Sequence, residues 1–199
     1  MDADIHVVLV FEDELSEAVL RRLLIHSGRP FVVSHGILAR GFGNIRRDVS
    51  KYKTACRAVP HIVLTDLDQS PCPPALLELW GVVSRPDELL FRVAVREVEA
   101  WLLADADGLA AFLNVLSSRF PAYPESVTDP KQVLISVARR SRSRVAREIV
   151  PSAGSSASQG PLYNEHLCRF VRDHWNVKAA LIKAPSLARI AARLGDFLA

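Results

Sequence analysis

Carboxylate side chains stand directly after two apolar segments of this chain. Residues 5–11 are almost continuously apolar and are followed by Glu12, Asp13 and Glu14. Residues 61–65 have the same character and are followed by Asp66 and Asp68. A third candidate is Glu99, close to Glu97, after the apolar segment 89–95. If these segments are neighbouring strands, the acidic side chains meet at one edge of a sheet.

Carboxylates in such an arrangement repel one another, and their burial adds a desolvation cost. A cation between them removes this cost, and hard oxygen ligands are those that Mg²⁺ prefers, with waters completing its octahedron. The spacing therefore predicts a site for Mg²⁺ (or Mn²⁺) held by Asp66 and Asp68, with Glu99 as a third ligand. The alternative is that these carboxylates simply lie exposed to solvent at the ends of the strands.

The first hundred residues alternate apolar strand-like and amphipathic helix-like segments. We predict strands over 5–11, 31–34, 61–65 and 89–95, and helices over 16–26, 44–58 and 97–103. This alternation is typical of an α/β fold with a mostly parallel central sheet and helices on both faces. Ligands of such sheets bind at the carboxyl ends of the strands, where both acidic clusters fall.

The sequence pattern of the remaining residues predicts a helical C-terminal part. Helices are expected over about 107–116, 130–148, 162–175 and 186–198. We therefore divide the chain into an α/β domain, 1–105, and a helical part, 106–199, packed on that same domain. No long linker separates the two.

Composition narrows the protein class. No apolar run approaches the roughly 18 to 20 residues that span a bilayer, and the acidic N-terminus does not resemble a signal peptide. The three cysteines are odd in number and widely spaced, without zinc-like spacing to histidines. These features predict a cytoplasmic protein with reduced thiols and no membrane partner.

Basic residues are unevenly distributed. Residues 1–100 hold 12 Lys/Arg against 14 Asp/Glu, whereas residues 101–199 hold 13 against 8. The predicted helix 44–58 carries Arg46, Arg47 and Lys51, and the densest basic run begins with Arg139 and Arg140. These residues are candidates for binding the phosphate backbone of nucleic acid. The alternative is that both groups are ordinary solvent-exposed residues on the surfaces of helices.

The order of these motifs resembles the Toprim (topoisomerase–primase) domain, in which a strand ends in Glu and a later strand ends in Asp-x-Asp. Glu12, Asp66 and Asp68 match those positions. Residues 92–105 and 185–187 also resemble an uncharacterised bacterial Toprim-like family related to the nuclease domains of OLD proteins, in which the acid before Ala-Trp matches Glu99. The resemblance implies that Glu12 is a general acid/base and that the aspartates coordinate Mg²⁺.

The sequence departs from the Toprim pattern at one position, and parts of it also resemble two other families. Asp13 stands where the Toprim glutamate is usually followed by Gly, so either Glu12 or Glu14 is the functional acid. The acidic group after the first strand and Asp66 also resemble a receiver domain of two-component signalling, but no lysine lies between Lys53 and Lys131. Asp66-x-Asp68 alone resembles the haloacid-dehalogenase phosphatases, with Ser70 a partial fit.

The function predicted from the sequence is Mg²⁺-dependent phosphodiester chemistry on nucleic acid, most simply strand cleavage. Asp66, Asp68 and Glu99 would hold the ion, and Glu12 would transfer the proton. No ATPase motif is present, so any ATP-driven function needs a partner ATPase. The alternative is a non-catalytic or receiver-like interaction module whose acidic pocket binds Mg²⁺ or a phosphoryl group. DNA or RNA as substrate and the oligomeric state stay open.

Overall fold

A four-stranded parallel sheet forms the centre of the molecule. The computed structural model describes residues 3–198. The strands are β1 (Ile5–Phe11), β2 (Phe31–Leu38), β3 (His61–Asp66) and β4 (Leu89–Ala94), in the spatial order β2-β1-β3-β4. All three pairings are parallel. The predicted α/β class with a parallel sheet is confirmed.

Helices connect the strands and make up the C-terminal half. Their bounds are α1 (Glu14–His26), α2 (Phe42–Ala55), α3 (Pro73–Leu79), α4 (Val98–Ala104), α5 (Ala106–Leu113), α6 (Pro130–Ala138), α7 (Arg144–Ile149), α8 (Tyr163–Asp173), α9 (Val177–Lys183) and α10 (Pro185–Gly195). Within residues 3–198, no helix combines the length and apolar character that crossing a membrane requires.

The sheet is covered on both faces because its strands are apolar on both sides. Alternate residues of a strand face opposite sides. In β1, Leu9 belongs to a core shared with α1, α4, α8 and α10, whereas Val10 belongs to a second core with α2 and α3. In β4, Leu90 likewise belongs to the first core and Phe91 to the second. This two-sided burial explains the continuous apolar runs in the sequence.

One predicted helix is interrupted, and two others begin earlier than expected. The segment 130–148 forms α6 and α7, because the Ser143 side chain accepts a hydrogen bond from the Ala146 amide and caps a new helix. The expected helix 186–198 is preceded by α9, and α10 starts at Pro185, which suits the first helical turn. Helix α1 also starts before the predicted residue 16, because Asp13 is its N-cap.

The helical half packs against the sheet through one continuous apolar core. Trp101 lies at its centre with no exposed surface, and its Nε1 donates a hydrogen bond to Ser186 Oγ at 2.8 Å. The Val95 amide donates to the same oxygen, which itself donates to Glu125 at 2.6 Å. One hydroxyl thus joins the end of β4 to α4 and α10. The domain division at residue 105 stays a prediction.

Replacing Ser186 tests this junction. Ser186→Ala removes the acceptor of the buried Trp101 N–H, so we expect a loss of about 1–3 kcal/mol in the free energy of unfolding. Chemical denaturation followed by tryptophan fluorescence measures it. Ser136→Ala, at an exposed position of α6, is the control and should stay within about 0.5 kcal/mol of wild type. Equal effects of the two substitutions would contradict this role of Ser186.

Candidate functional site

Glu12 and Asp66 meet at the carboxyl edge of the sheet. Strands β1 and β3 are hydrogen-bonded neighbours, so the residue after β1 lies beside the end of β3. Glu12 Oε1 accepts one hydrogen bond from the Thr65 hydroxyl at 2.5 Å and another from the Asp66 amide at 2.9 Å. The side chain of Glu12 is therefore fixed across the two strand ends rather than free in solvent.

Asp66 joins this pair to the next strand. Its Oδ1 accepts a hydrogen bond from the Val98 amide, the first residue of α4, at 3.0 Å. The following residue, Leu67, donates its amide to Ala94 and Arg96 carbonyls at the end of β4. The carboxylate therefore lies between β1 and the β4–α4 junction, which is where the other acidic residues begin.

Glu97, directly before α4, and Glu99, in its first turn, complete the cluster. Glu99 is only 3% exposed and accepts a hydrogen bond from the Tyr163 hydroxyl at 2.9 Å. Lys131 Nζ lies 3.5 Å from the same Glu99 oxygen. The backbone amide of Lys131 donates to Glu97 Oε2 at 3.1 Å. Lys131 thus contacts both glutamates, Glu99 through its side chain and Glu97 through its main chain.

The pKa values of these carboxyl groups are raised. Burial is the main cause for Asp66, and the charges of Glu99 and Glu12 push its pKa well above the ordinary value. Burial, followed by Glu99, raises the pKa of Glu97 to about 7. The pKa of Glu12 is raised by burial and partly restored by its hydrogen bonds from Thr65 and Asp66. Burial first, and repulsion between neighbouring carboxylates second, thus raise the pKa values at this edge of the sheet.

Lys131 was missed as a functional residue in the sequence. It follows Asp129 and Pro130, a recognisable helix start, and Asp129 does cap α6. Burial lowers the pKa of the Lys131 ammonium, but the charges of Glu99, Glu97 and Asp13 reverse this effect, so its pKa is raised. Lys131 therefore stays charged at neutral pH and offsets part of the acidic cluster.

Asp68 lies at the rim of the cluster. Its residue is exposed and has a φ of +48°, a left-handed conformation that aspartate tolerates better than most residues. Burial of the carboxyl raises its pKa and Lys131 lowers it, while the Asp68 charge in turn raises the pKa of Glu12. Arg96 Nη1 donates to the Asp68 and Ser70 carbonyls and so holds this loop.

Asp13 and Glu14, the other two acidic residues after β1, have other roles. Asp13 Oδ1 accepts hydrogen bonds from the amide and hydroxyl of Ser16 at 2.8 Å each, which makes Asp13 the cap of α1. Glu14 is exposed in the first turn of that helix. Of the three adjacent acids, Glu12 is thus the one hydrogen-bonded to the end of β3.

A cleft of about 400 Å³ opens beside Glu12. Arg40 and Gly41, at the start of α2, form part of its wall, and so do Leu38 and Asn164. Arg40 is exposed and has a φ of +58°. A positive side chain thus stands at the mouth of an acidic cleft, a position that the sequence did not single out.

The predicted nucleic-acid-binding residues lie in two separate places. Arg46, Arg47 and Lys51 are exposed on α2, where Arg47 and Lys51 both pair with Asp48, at 3.0 and 2.7 Å. The Arg47 and Lys51 partners lower the pKa of Asp48 to about 2. Arg139 and Arg140 are exposed at the end of α6 opposite Lys131, which puts them roughly 12 Å farther along that helix.

The donor set suits a hard cation. Oε1 of Glu12 and Oδ1 of Asp66 are held by protein donors, and each carboxylate has a second oxygen. Among residues 3–198, no group of three or more His, Cys, Asp or Glu side chains is arranged to hold a metal ion. Mg²⁺ commonly uses only one or two carboxylates, together with waters and substrate phosphates. A preformed protein cage is therefore not required.

Comparisons with known proteins give little further information. No family model matches the chain, and no curated protein matches it. Among solved structures, it is similar to the C-terminal region of the Burkholderia pseudomallei OLD protein, with a TM-score of 0.47 and 12% identity, covering 100% of both chains. At this identity and score, the likeness says nothing about substrate or chemistry. The resemblance to the Toprim domain stays a prediction.

The raised pKa of Glu97 predicts a pH dependence of stability in EDTA. A carboxyl group whose pKa is higher in the folded state than in the unfolded state favours folding below the unfolded value, and this contribution is lost as the pH rises through the folded value. Wild type should therefore lose stability between about pH 4.5 and 7. Glu97→Gln should flatten that part of the profile.

Melting temperatures at a series of pH values, with metal removed, measure this effect. Glu78→Gln is the control, because Glu78 is an exposed glutamate on α3. A profile of Glu97→Gln that parallels wild type would contradict the assignment.

Proposed function

We propose that this protein is a Mg²⁺-dependent (or Mn²⁺-dependent) nuclease that cleaves phosphodiester bonds of nucleic acid. The observation that supports it best is the contact between Glu12 and Asp66 across two parallel strand ends, with Glu97, Glu99 and Lys131 beside them. Acidic groups with raised pKa values beside a half-buried lysine are typical of sites that perform chemistry.

The aspartates are the proposed metal ligands. Asp66, fixed by the Val98 amide, would present its second oxygen, and Asp68 would approach from the rim. A bound Mg²⁺ would supply electrostatic stabilisation of the phosphate and a more acidic water. Glu99 is a less direct ligand than the sequence suggested, because Tyr163 and Lys131 already hold one of its oxygens.

Glu12 is the proposed proton acceptor. Its raised pKa moves the carboxyl toward the range in which a general base works efficiently at neutral pH. Lys131 is the proposed electrostatic partner of the phosphate, because it is charged and lies within the cluster. Such a positive group stabilises charge that develops on phosphate oxygens during transfer.

The substrate would enter along the cleft beside Glu12. Arg40, just before α2, lines this cleft. Within residues 3–198, the side chain of Arg46 in the first turns of α2 makes no hydrogen bond or ion pair. Exposed cations next to an acidic metal site would attract a polyanion and position it. A partner ATPase stays a prediction from the sequence.

Cleavage of labelled DNA and RNA oligonucleotides in Mg²⁺ or Mn²⁺ tests the proposal. Glu12→Gln and Asp66→Asn should each lower the rate by about 10²-fold or more, because they remove the base and the metal ligand. Lys131→Met should lower it by about 10²-fold through lost stabilisation of phosphate charge. Glu78→Gln, at an exposed position of α3 outside the cleft beside Glu12, is the control and should retain wild-type activity.

Melting curves of each variant separate loss of chemistry from loss of folding. Activity that persists in Asp66→Asn would mean that the cleaving site is elsewhere. Failure of wild type to cut any of these substrates with either metal would contradict the nuclease proposal.

A phosphoryl-receiving module is the second candidate, and Lys131 favours it. The sequence argued against a receiver domain because no lysine was close in the chain, yet the fold brings Lys131 to the acidic edge. Against this candidate, the described sheet ends at β4, without a fifth strand. Incubation with acetyl phosphate and Mg²⁺, followed by mass spectrometry, distinguishes the two: a phosphorylated Asp66 would support the receiver-like function.

A further inference from the structure

Four arginines gather along the edge strand β4 and helix α10, away from the acidic cluster. Arg92 lies within β4, Arg85 precedes that strand, and Arg189 and Arg193 lie one turn apart on α10. Strand alternation places Arg92 on the same face as Leu90 and Ala94, which belong to the core that α10 covers. We call these four residues the arginine cluster.

Contacts at both ends of α10 fix its direction. Ser186, at its start, accepts a hydrogen bond from Val95 just after β4. The carbonyl of Leu194, at its other end, accepts one from Arg29, which precedes β2. Helix α10 therefore runs antiparallel to β4, and Arg189 and Arg193, about 6 Å apart along the helix axis, flank the strand.

The arginine cluster lacks counter-charges. Within residues 3–198, no carboxylate lies within 4.0 Å of any of its four guanidinium groups. In the part of the chain that the structure describes, Arg92 Nε is buried and has no hydrogen-bond partner. Arg85 Nη1 donates to the Val82 and Val83 carbonyls. Burial, followed by the charges of Arg85, Arg193 and Arg189, lowers the pKa of Arg92 to about 10.

A cleft of about 540 Å³ lies against this cluster. Arg85 and Arg193 line it together with Asp87 and Asp196, and the remaining wall is mostly apolar. Neither aspartate reaches ion-pair distance of an arginine, and neither is among the charges that act on the pKa of Arg85 or Arg92. Among residues 3–198, Arg85 and Arg193 therefore face this cleft without an ion-pair partner, although Asp87 and Asp196 also line it.

We propose that the arginine cluster is a phosphate-binding site, which takes the phosphates of a nucleic-acid strand or of a small polyphosphate. Guanidinium groups bind phosphate through paired, charge-assisted hydrogen bonds. Converging arginines without carboxylate partners are costly unless an anion neutralises them. This inference is independent of the metal site.

The test uses the full chain in EDTA, so that neither metal nor cleavage contributes. The variant is Arg189→Gln/Arg193→Gln, whose residues are exposed and should not disturb folding. The control is Arg169→Gln/Arg172→Gln, which removes the same charge from exposed positions of α8. One arm measures the affinity of a fluorescent single-stranded DNA at several salt concentrations, and the other measures melting temperature with added tripolyphosphate.

A strand-binding site predicts weaker DNA binding by the variant, with a slope of log affinity against log salt shallower by about 1.4 for two lost contacts. A polyphosphate site predicts that tripolyphosphate raises the melting temperature of wild type and control more than that of the variant. Either result supports the proposal. Equal behaviour of variant and control in both arms would overturn it, as would absence of binding by wild type.

Discussion

The burial of several carboxylates at one edge of the sheet, together with the repulsion between them, is the constraint on which this structure depends. Glu12, Asp66, Glu97 and Glu99 come from the ends of three neighbouring strands, and each is tied to a backbone amide, a hydroxyl or Lys131. These bonds compensate only in part, since the pKa values stay raised. The helical half contributes because α6 and α8 bring the lysine and the tyrosine that hold Glu99.

Most of the fold, and the first half of the site, follow from local sequence signals. Apolar runs followed by Glu12 and by Asp66 predicted parallel strands whose ends meet, and the structure joins these two residues by a hydrogen bond. The break at Ser143 was missed because the basic run 139–147 has a helix-like composition, whereas a capping serine is a local event within it. Propensity summed over a window cannot resolve such a stop.

Lys131 and Tyr163 could not be located from the sequence. In the chain, Lys131 lies 34 residues from its partner Glu97, and Tyr163 lies 64 residues from its partner Glu99. Such partners are fixed by how α6 and α8 pack on α4, and this depends on the whole core. The same packing separates the two kinds of charge: carboxylates gather at the strand ends, while α10 holds arginines along β4.

The most direct test of the account is anomalous scattering from crystals soaked in Mn²⁺. The account predicts one strong peak within coordination distance of Asp66, with Glu12 or Asp68 as a second carboxylate close to it. It also predicts that the peak disappears in Asp66→Asn. A well-ordered crystal with no peak at the carboxyl edge, or with a peak only at a site remote from Glu12 and Asp66, would contradict the central claim that this edge is a metal site.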